Sequence, residues 1–205
     1  MIVLHHCAGA RSFRALWALE EMGLAYELKL MAFPPRARVE GYLDLNPMGT
    51  VPTFFDDGAR MTESAAICEY LAAKYGPTPL AVTPDEPGFA AYLNFLHMSD
   101  ATLTFPQTIV LRYTRLEPEE RRIAQAAADY AQWFHSRLRG AMKMMGEADY
   151  LAASRFTMAD VAVAYALKLA ESLGLSDRFP DPARRYWQRM QAREGYRRAV
   201  AAEGG

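Results

Sequence analysis

Cysteine is scarce: the 205 residues contain only Cys7 and Cys68. They lie too far apart for a CxxC pair and form no disulfide framework, so a reduced, cytoplasmic setting is expected. Charge of one sign is not in excess, with 23 basic against 24 acidic residues and a formal net charge of -1. No basic block is interleaved with aromatics, which argues against a nucleic-acid partner. No charge-free apolar stretch reaches membrane-spanning length, and the opening MIVLHHC has no basic segment of the signal-peptide kind. A soluble protein with no membrane partner is expected. His5 and His6 are neighbours on a strand and point to opposite faces, so no metal site is expected. What the chain does have is 51% hydrophobic residues, enough for a sizeable core in one large domain or two small ones.

The first third alternates in period. Ile2-Val3-Leu4 is a wholly apolar run that suits a strand covered on both faces. Leu16, Leu19 and Met22 recur on one helical face, and Gly23 supplies a stop. Tyr26 to Leu30 alternates as a second strand. From Pro34-Pro35 to Asn46 no element is legible. Thr53-Phe54-Phe55 and Ala59 to Thr62 then read as strands around the hairpin signal Asp57-Gly58. Ser64 to Lys74 reads as a helix, with Ile67, Tyr70 and Leu71 inward. This order, β-α-β then β-β-α, is that of a thioredoxin-like domain.

Breakers gather at Gly76-Pro77-Thr78-Pro79 and from Pro84 to Gly88. Beyond them strand signals vanish. Glu117-Pro118-Glu119-Glu120 reads as a helix start with acidic residues near the positive end. The face Ile123, Ala126, Ala127, Tyr130, Trp133, Phe134, Leu138 and Met142 follows at period 3.6. Thr157-Met158-Ala159-Asp160 has the form of a capping box, and Asp181-Pro182 opens a further helix. The fold class expected is an α/β thioredoxin-like domain over 1–77, a linker over 78–87, and an all-α helical-bundle domain over 88–205.

Two places between Asn46 and Gly76 suit a small peptide ligand. Val51-Pro52 precedes a strand, where proline removes a donor and can adopt a cis bond; the Val51 main chain could pair with a ligand's own. Glu63-Ser64 marks a helix start, whose free amides and dipole suit a carboxylate. This segment resembles the glutathione site of the cytosolic glutathione S-transferase superfamily, of bacterial type. The resemblance implies that Val51, before Pro52, pairs with the cysteinyl part of glutathione, and that Glu63 and Ser64 hold its γ-glutamyl end. It also implies that Asp100 reaches across a homodimer to the ligand's ammonium, that glutathione is a co-substrate, and that no metal takes part.

Conjugation needs glutathione as thiolate. A free thiol of pKa ~8.5 is ionised to only about 3% at neutral pH, and lowering it by about two units takes roughly 2.7 kcal/mol. Relatives supply this with a Tyr, Ser or Cys after the first strand. Here that region reads His5-His6-Cys7-Ala8-Gly9-Ala10-Arg11-Ser12, with Ala10 at the serine-like position and Arg11 at the cysteine-like one. Ser12 is the nearest hydroxyl; it can cap the helix, activate the thiol, or do both. Arg11 brings a permanent charge that lowers a neighbouring thiol's pKa, or is a solvated arginine of a polar loop. Cys7 and Cys68 read as small buried hydrophobes. Met98, Phe105 and Tyr113 are candidates for an apolar electrophile pocket or for plain core.

The leading reading is a homodimeric glutathione transferase acting on small hydrophobic electrophiles, for which Ser12 and Arg11 are the catalytic candidates. The rivals are a non-catalytic binding or interaction protein of this fold, and a glutathione-dependent thiol reductase or dehalogenase that uses Cys7 or another reactive thiol.

Overall fold

Strand β1 (Ile2–His6) lies inside a four-stranded sheet of order β2-β1-β3-β4 in a computed structural model that describes residues 1–204. β2 (Tyr26–Leu30) runs parallel to it, with Ile2 opposite Tyr26 and His6 opposite Leu30. β3 (Thr53–Asp56) is antiparallel, with Leu4 opposite Phe54, and continues through a hairpin into β4 (Ala59–Met61). The hairpin turn is Asp57-Gly58, both with positive φ (46° and 83°), the geometry for which an Asp-Gly pair is suited. β1 was expected to be buried on both faces. Instead Ile2, Leu4 and His6 are buried while Val3 and His5 are half-buried, so one face is the deeper.

That deeper burial extends to α1 (Phe13–Met22), in which seven consecutive residues, Phe13 to Leu19, are buried. A helix buried all round needs neighbours on several sides, and α1 has them in β1, α4 (Ser64–Lys74) and the closing helix α10 (Glu194–Ala202). Tyr196 of α10 stands edge-on to Phe13 and Trp17, with ring centroids at 5.6 and 5.1 Å. Arg193 grips Glu21 through two parallel hydrogen bonds of 2.8 Å, and Trp17 Nε1 donates to the same carboxylate at 2.9 Å. The approach is so close that a Cβ on Gly195 would sit 2.5 Å from Glu21 Cδ, so a larger residue there would push the Glu21 carboxylate out of place. Gly23 ends α1 in the left-handed region at φ 62°, and the Leu24 N–H returns to Leu19.

The contacts gather the chain into two compact units, Met1–Ala81 with Gln191–Gly205, and Val82–Met190. The first unit is therefore not continuous in sequence: the final helix joins it by packing on α1. The stretch that was illegible in sequence holds two four-residue helices, α2 (Pro35–Arg38) and α3 (Tyr42–Leu45). Each is a single turn, too short to show a period or to be stable without tertiary contacts.

The second unit is all helical. α5 (Phe89–Met98) runs on through wider π-helical turns at Ser99–Thr104 into α6 (Phe105–Leu111) and a further wide turn, Arg112–Leu116. α7 (Ala124–Met145), α8 (Met158–Ser172) and α9 (Asp181–Gln191) follow. α8 is the core, buried without interruption from Met158 to Leu167, and its small residues let α5 and the turn after it approach. The Thr157–Asp160 capping box is formed as expected. The Glu117-Pro118-Glu119-Glu120 run does not open α7: Glu119–Arg121 is one 3-10 turn and α7 begins at Ala124. Its acidic start is diverted, because the Glu117 carboxylate pairs with Arg112 (2.8 Å) and Arg121 (3.3 Å). Among the described residues no helix is long and apolar enough to cross a membrane.

Candidate functional site

The Val51–Pro52 peptide is cis. Its surroundings are pinned on both sides. Tyr42 Oη and Asn46 Nδ2 donate to the Thr50 carbonyl at 2.6 and 2.8 Å, and Asn46 Nδ2 also reaches Thr53 Oγ1 at 3.1 Å. The Val51 side chain is buried with Cys7 and Tyr42. Among the described residues, however, the main-chain N–H and C=O of Val51 take no partner. An anchored side chain under an unpaired main chain is the arrangement that accepts an added strand.

The second candidate place is the start of α4. Glu63 occupies the N-cap position with extended backbone, its side chain exposed and making no capping bond. Among the described residues its carboxylate has no hydrogen-bond or ion-pair partner, and the Ser64 and Ala65 N–H groups are unpaired as well. A helix start with open amides attracts anions. Ser64 is buried, and its Oγ accepts from Arg14 Nη1 at 3.0 Å. Arg14 is itself fully buried, so a permanent cation stands behind this helix start. Arg14 escaped the sequence reading. Its one signal was a charged residue within an otherwise apolar helix stretch, Phe13 to Leu19.

The loop from β1 to α1 departs most from expectation. Ser12 stands at the N-cap of α1, yet its backbone is already helical and its side chain makes no capping bond, so the capping role is not the one it plays. The hydroxyl is fully buried, 2.7 Å from His6 Nδ1, and accepts the Cys7 N–H at 3.4 Å. Buried and engaged in this way, it presents nothing to solvent. The far nitrogen of His6, Nε2, lies 3.2 Å from Glu203 Oε2, and the Gly9 N–H donates to that oxygen at 3.0 Å. Of the two neighbouring histidines, His6 is buried and bonded, while His5 packs edge-on against Phe55. Arg11 and Ala10 are half-exposed. Burial pushes the Cys7 thiol up to about 11 and that of Cys68 up to about 12, so neither carries thiolate at neutral pH.

Asp100 belongs to the second unit, in the π-helical turn after α5. Met98 and Phe105 line a cleft of about 460 Å³ within that unit, together with Trp133, Arg137 and Met144; Tyr113 is not part of its lining. Among the described residues no His, Cys, Asp and Glu side chains gather as a metal site.

Residues 9–74 match the family described as the glutathione S-transferase N-terminal domain. The chain is 30% identical to glutathione S-transferase hmp2 of Hypomyces subiculosus over 215 aligned residues, covering 98% of this chain and 99% of that protein. It is 40% identical to glutathione S-transferase 3 of Schizosaccharomyces pombe over 103 residues, a match that spans 50% of this chain and 43% of that one. Its structure superposes on a glutathione transferase of Phanerochaete chrysosporium solved with oxidized glutathione, with a TM-score of 0.86 at 18% identity, covering 99% and 95% of the two chains. At that identity the likeness is one of fold. The chain belongs to the glutathione S-transferase family, with a thioredoxin-like α/β unit and an all-α unit.

Proposed function

We propose that this protein binds glutathione and adds its thiolate to small hydrophobic electrophiles. The observation that carries the reading is the unpaired main chain of Val51 beside cis-Pro52. A peptide ligand can pair there as a short strand. The γ-glutamyl carboxylate then takes the open amides of Ser64 and Ala65, backed by buried Arg14, and the exposed Glu63 takes the ammonium. Asp100 is assigned to the same ammonium from a partner subunit. The relative solved with oxidized glutathione supports a ligand of this kind.

Activation of the thiol falls to the β1–α1 loop. Ala10 has no hydroxyl to give, and Ser12 acts from beneath the loop, through His6, rather than by contact with the sulfur. Arg11 and the positive end of α1 are left to favour the thiolate. Large apolar side chains at the surface, Met48 in the first unit and Phe105, Trp133 and Met144 in the second, support a homodimer. A cytoplasmic setting fits two buried, unpaired cysteines.

One observation favours a second reading, a glutathione-binding protein without conjugating activity: the serine-like position is Ala10. The reductase reading loses its support, since Cys7 is buried and its thiol is pushed up to about 11. Calorimetric titration with glutathione, followed by conjugation assays over a broad electrophile panel, separates the two that remain. Binding with conjugation at an apparent pKa below that of the free thiol supports the transferase. Binding without conjugation establishes the second reading, and no binding overturns both.

A further inference from the structure

We infer that Glu203, in the last turn of the chain, is a positioning residue for the thiol loop, which it latches through His6 and Gly9. What the loop does for catalysis rests on the functional reading above; the latch itself does not. With a neutral His6, hydrogen accounting gives the chain of bonds one direction. The Cys7 N–H donates to Ser12 Oγ, and the Ser12 hydroxyl hydrogen is then free to donate to His6 Nδ1 at 2.7 Å. His6 accordingly carries its own hydrogen on Nε2, which donates to Glu203 Oε2 at 3.2 Å. The Gly9 N–H donates to the same oxygen at 3.0 Å. Each donor meets an acceptor, and the chain ends on a carboxylate.

Burial makes these bonds matter. His6 and Ser12 are fully buried and the Glu203 side chain is only 6% exposed, so water cannot readily replace a lost partner of His6, whereas the Gly9 N–H lies at the surface. Cys7 and Gly9 are held through their main chain, and Ser12 through its side chain. Between them lie Ala8, exposed, and Ala10 and Arg11, both half-exposed, whose side chains form the accessible surface of the loop. The loop's shape is therefore set from below by a residue 194 positions from Gly9. Helix α10 carries that residue into place by packing Tyr196 against Phe13 and Trp17. With Ala10 lacking a hydroxyl, thiolate stabilisation depends on where the loop main chain and Arg11 stand, and small displacements of such groups reduce rate steeply.

The test uses the full chain with Glu203→Ala and Glu203→Gln, read by amide hydrogen exchange and by conjugation kinetics. In Glu203→Ala, exchange at the Cys7 and Gly9 amides should quicken by about tenfold to hundredfold, while amides of β3 and α4 keep their rates. The kcat should fall about tenfold with the glutathione dissociation constant changed less than about twofold, and the midpoint of the pH–rate profile should move up. Glu203→Gln keeps an acceptor oxygen and should restore most of both. If Glu203→Ala does not fold, Glu203→Asp withdraws the carboxylate by one methylene and should move every readout the same way, less far. Unchanged exchange at Cys7 and Gly9 overturns the latch. Faster exchange with kcat and pH profile intact overturns the positioning role and leaves a purely structural contact. A wild type that binds glutathione but conjugates nothing overturns the positioning role together with the functional reading, while the exchange rates still judge the latch by itself.

Discussion

Replacing Asp160 with alanine should destabilise the protein by about 3 kcal/mol at neutral pH without altering its ligand site. Asp160 is fully buried and accepts four hydrogen bonds: from the Leu151 N–H and Tyr186 Oη at 3.1 Å each, the Thr157 N–H at 2.8 Å and Thr157 Oγ1 at 3.1 Å. Alanine leaves two backbone N–H groups without a partner in the interior, at roughly 2 kcal/mol apiece. The two hydroxyls lose about 1 kcal/mol each, the Tyr186 hydroxyl retaining the Asp160 carbonyl at 3.4 Å. Against this roughly 6 kcal/mol stands the relief of burying a charge. Burial pushes the Asp160 carboxyl up to about 6 even with these four bonds in place, and the effective penalty of a buried ion is on the order of 3 kcal/mol. The net of about 3 kcal/mol corresponds to a fall in Tm of roughly 6–12 °C for a chain of this length. Asp160→Asn keeps one acceptor and should fall between alanine and wild type. Thermal and urea unfolding measure the loss, and calorimetry at a temperature where both proteins are folded measures glutathione affinity. A Tm within about 2 °C of wild type would refute the hydrogen-bond reasoning. Lost affinity at unchanged stability would refute the structural assignment of Asp160.

Glu63→Ala should weaken glutathione binding by about tenfold, since a charged partner of the ligand's ammonium is lost; equal affinity in a titration would remove Glu63 from the site. Ser64→Ala should lower stability as well as affinity, by about 1–3 kcal/mol, because buried Arg14 loses an acceptor. His135 is buried with both ring nitrogens lacking a hydrogen-bond partner among the described residues, and burial, then Arg178 and Arg139, hold its pKa below the usual value. Folded protein thus keeps it neutral while the unfolded chain binds a proton below about pH 6.5, so this part of the stability is complete above that value and lost as pH falls. His135→Phe should flatten the fall, and parallel stability curves for the two proteins from neutral to mildly acid pH would contradict this. Cys7 and Cys68 should resist a thiol reagent in the native protein and both react in denaturant; rapid native labelling of Cys7 would reopen a redox role.

Local signals were legible in the sequence because their physics is local. The Asp57-Gly58 turn, the stop at Gly23, the Thr157–Asp160 box and the proline after Val51 each act within a few residues, so spacing alone reveals them. The class change from α/β to all-α followed from periodicity, and the segment from Asn46 to Gly76 pointed to the family. The acidic run at Glu117 misled because its carboxylate pairs with Arg112 and Arg121, five residues before and four after it, and the chain makes a 3-10 turn there before α7 begins at Ala124. Ser12 looked like a cap or a catalyst, since the sequence shows a hydroxyl beside a helix start and not the imidazole beneath it. Arg14 meets Ser64 across 50 residues and His6 meets Glu203 across 197, and no pattern along the chain encodes such a pairing. Those partners are chosen by what the packed core leaves buried: a polar group cut off from water must find a bond, and only tertiary structure decides which groups stand close enough to give one.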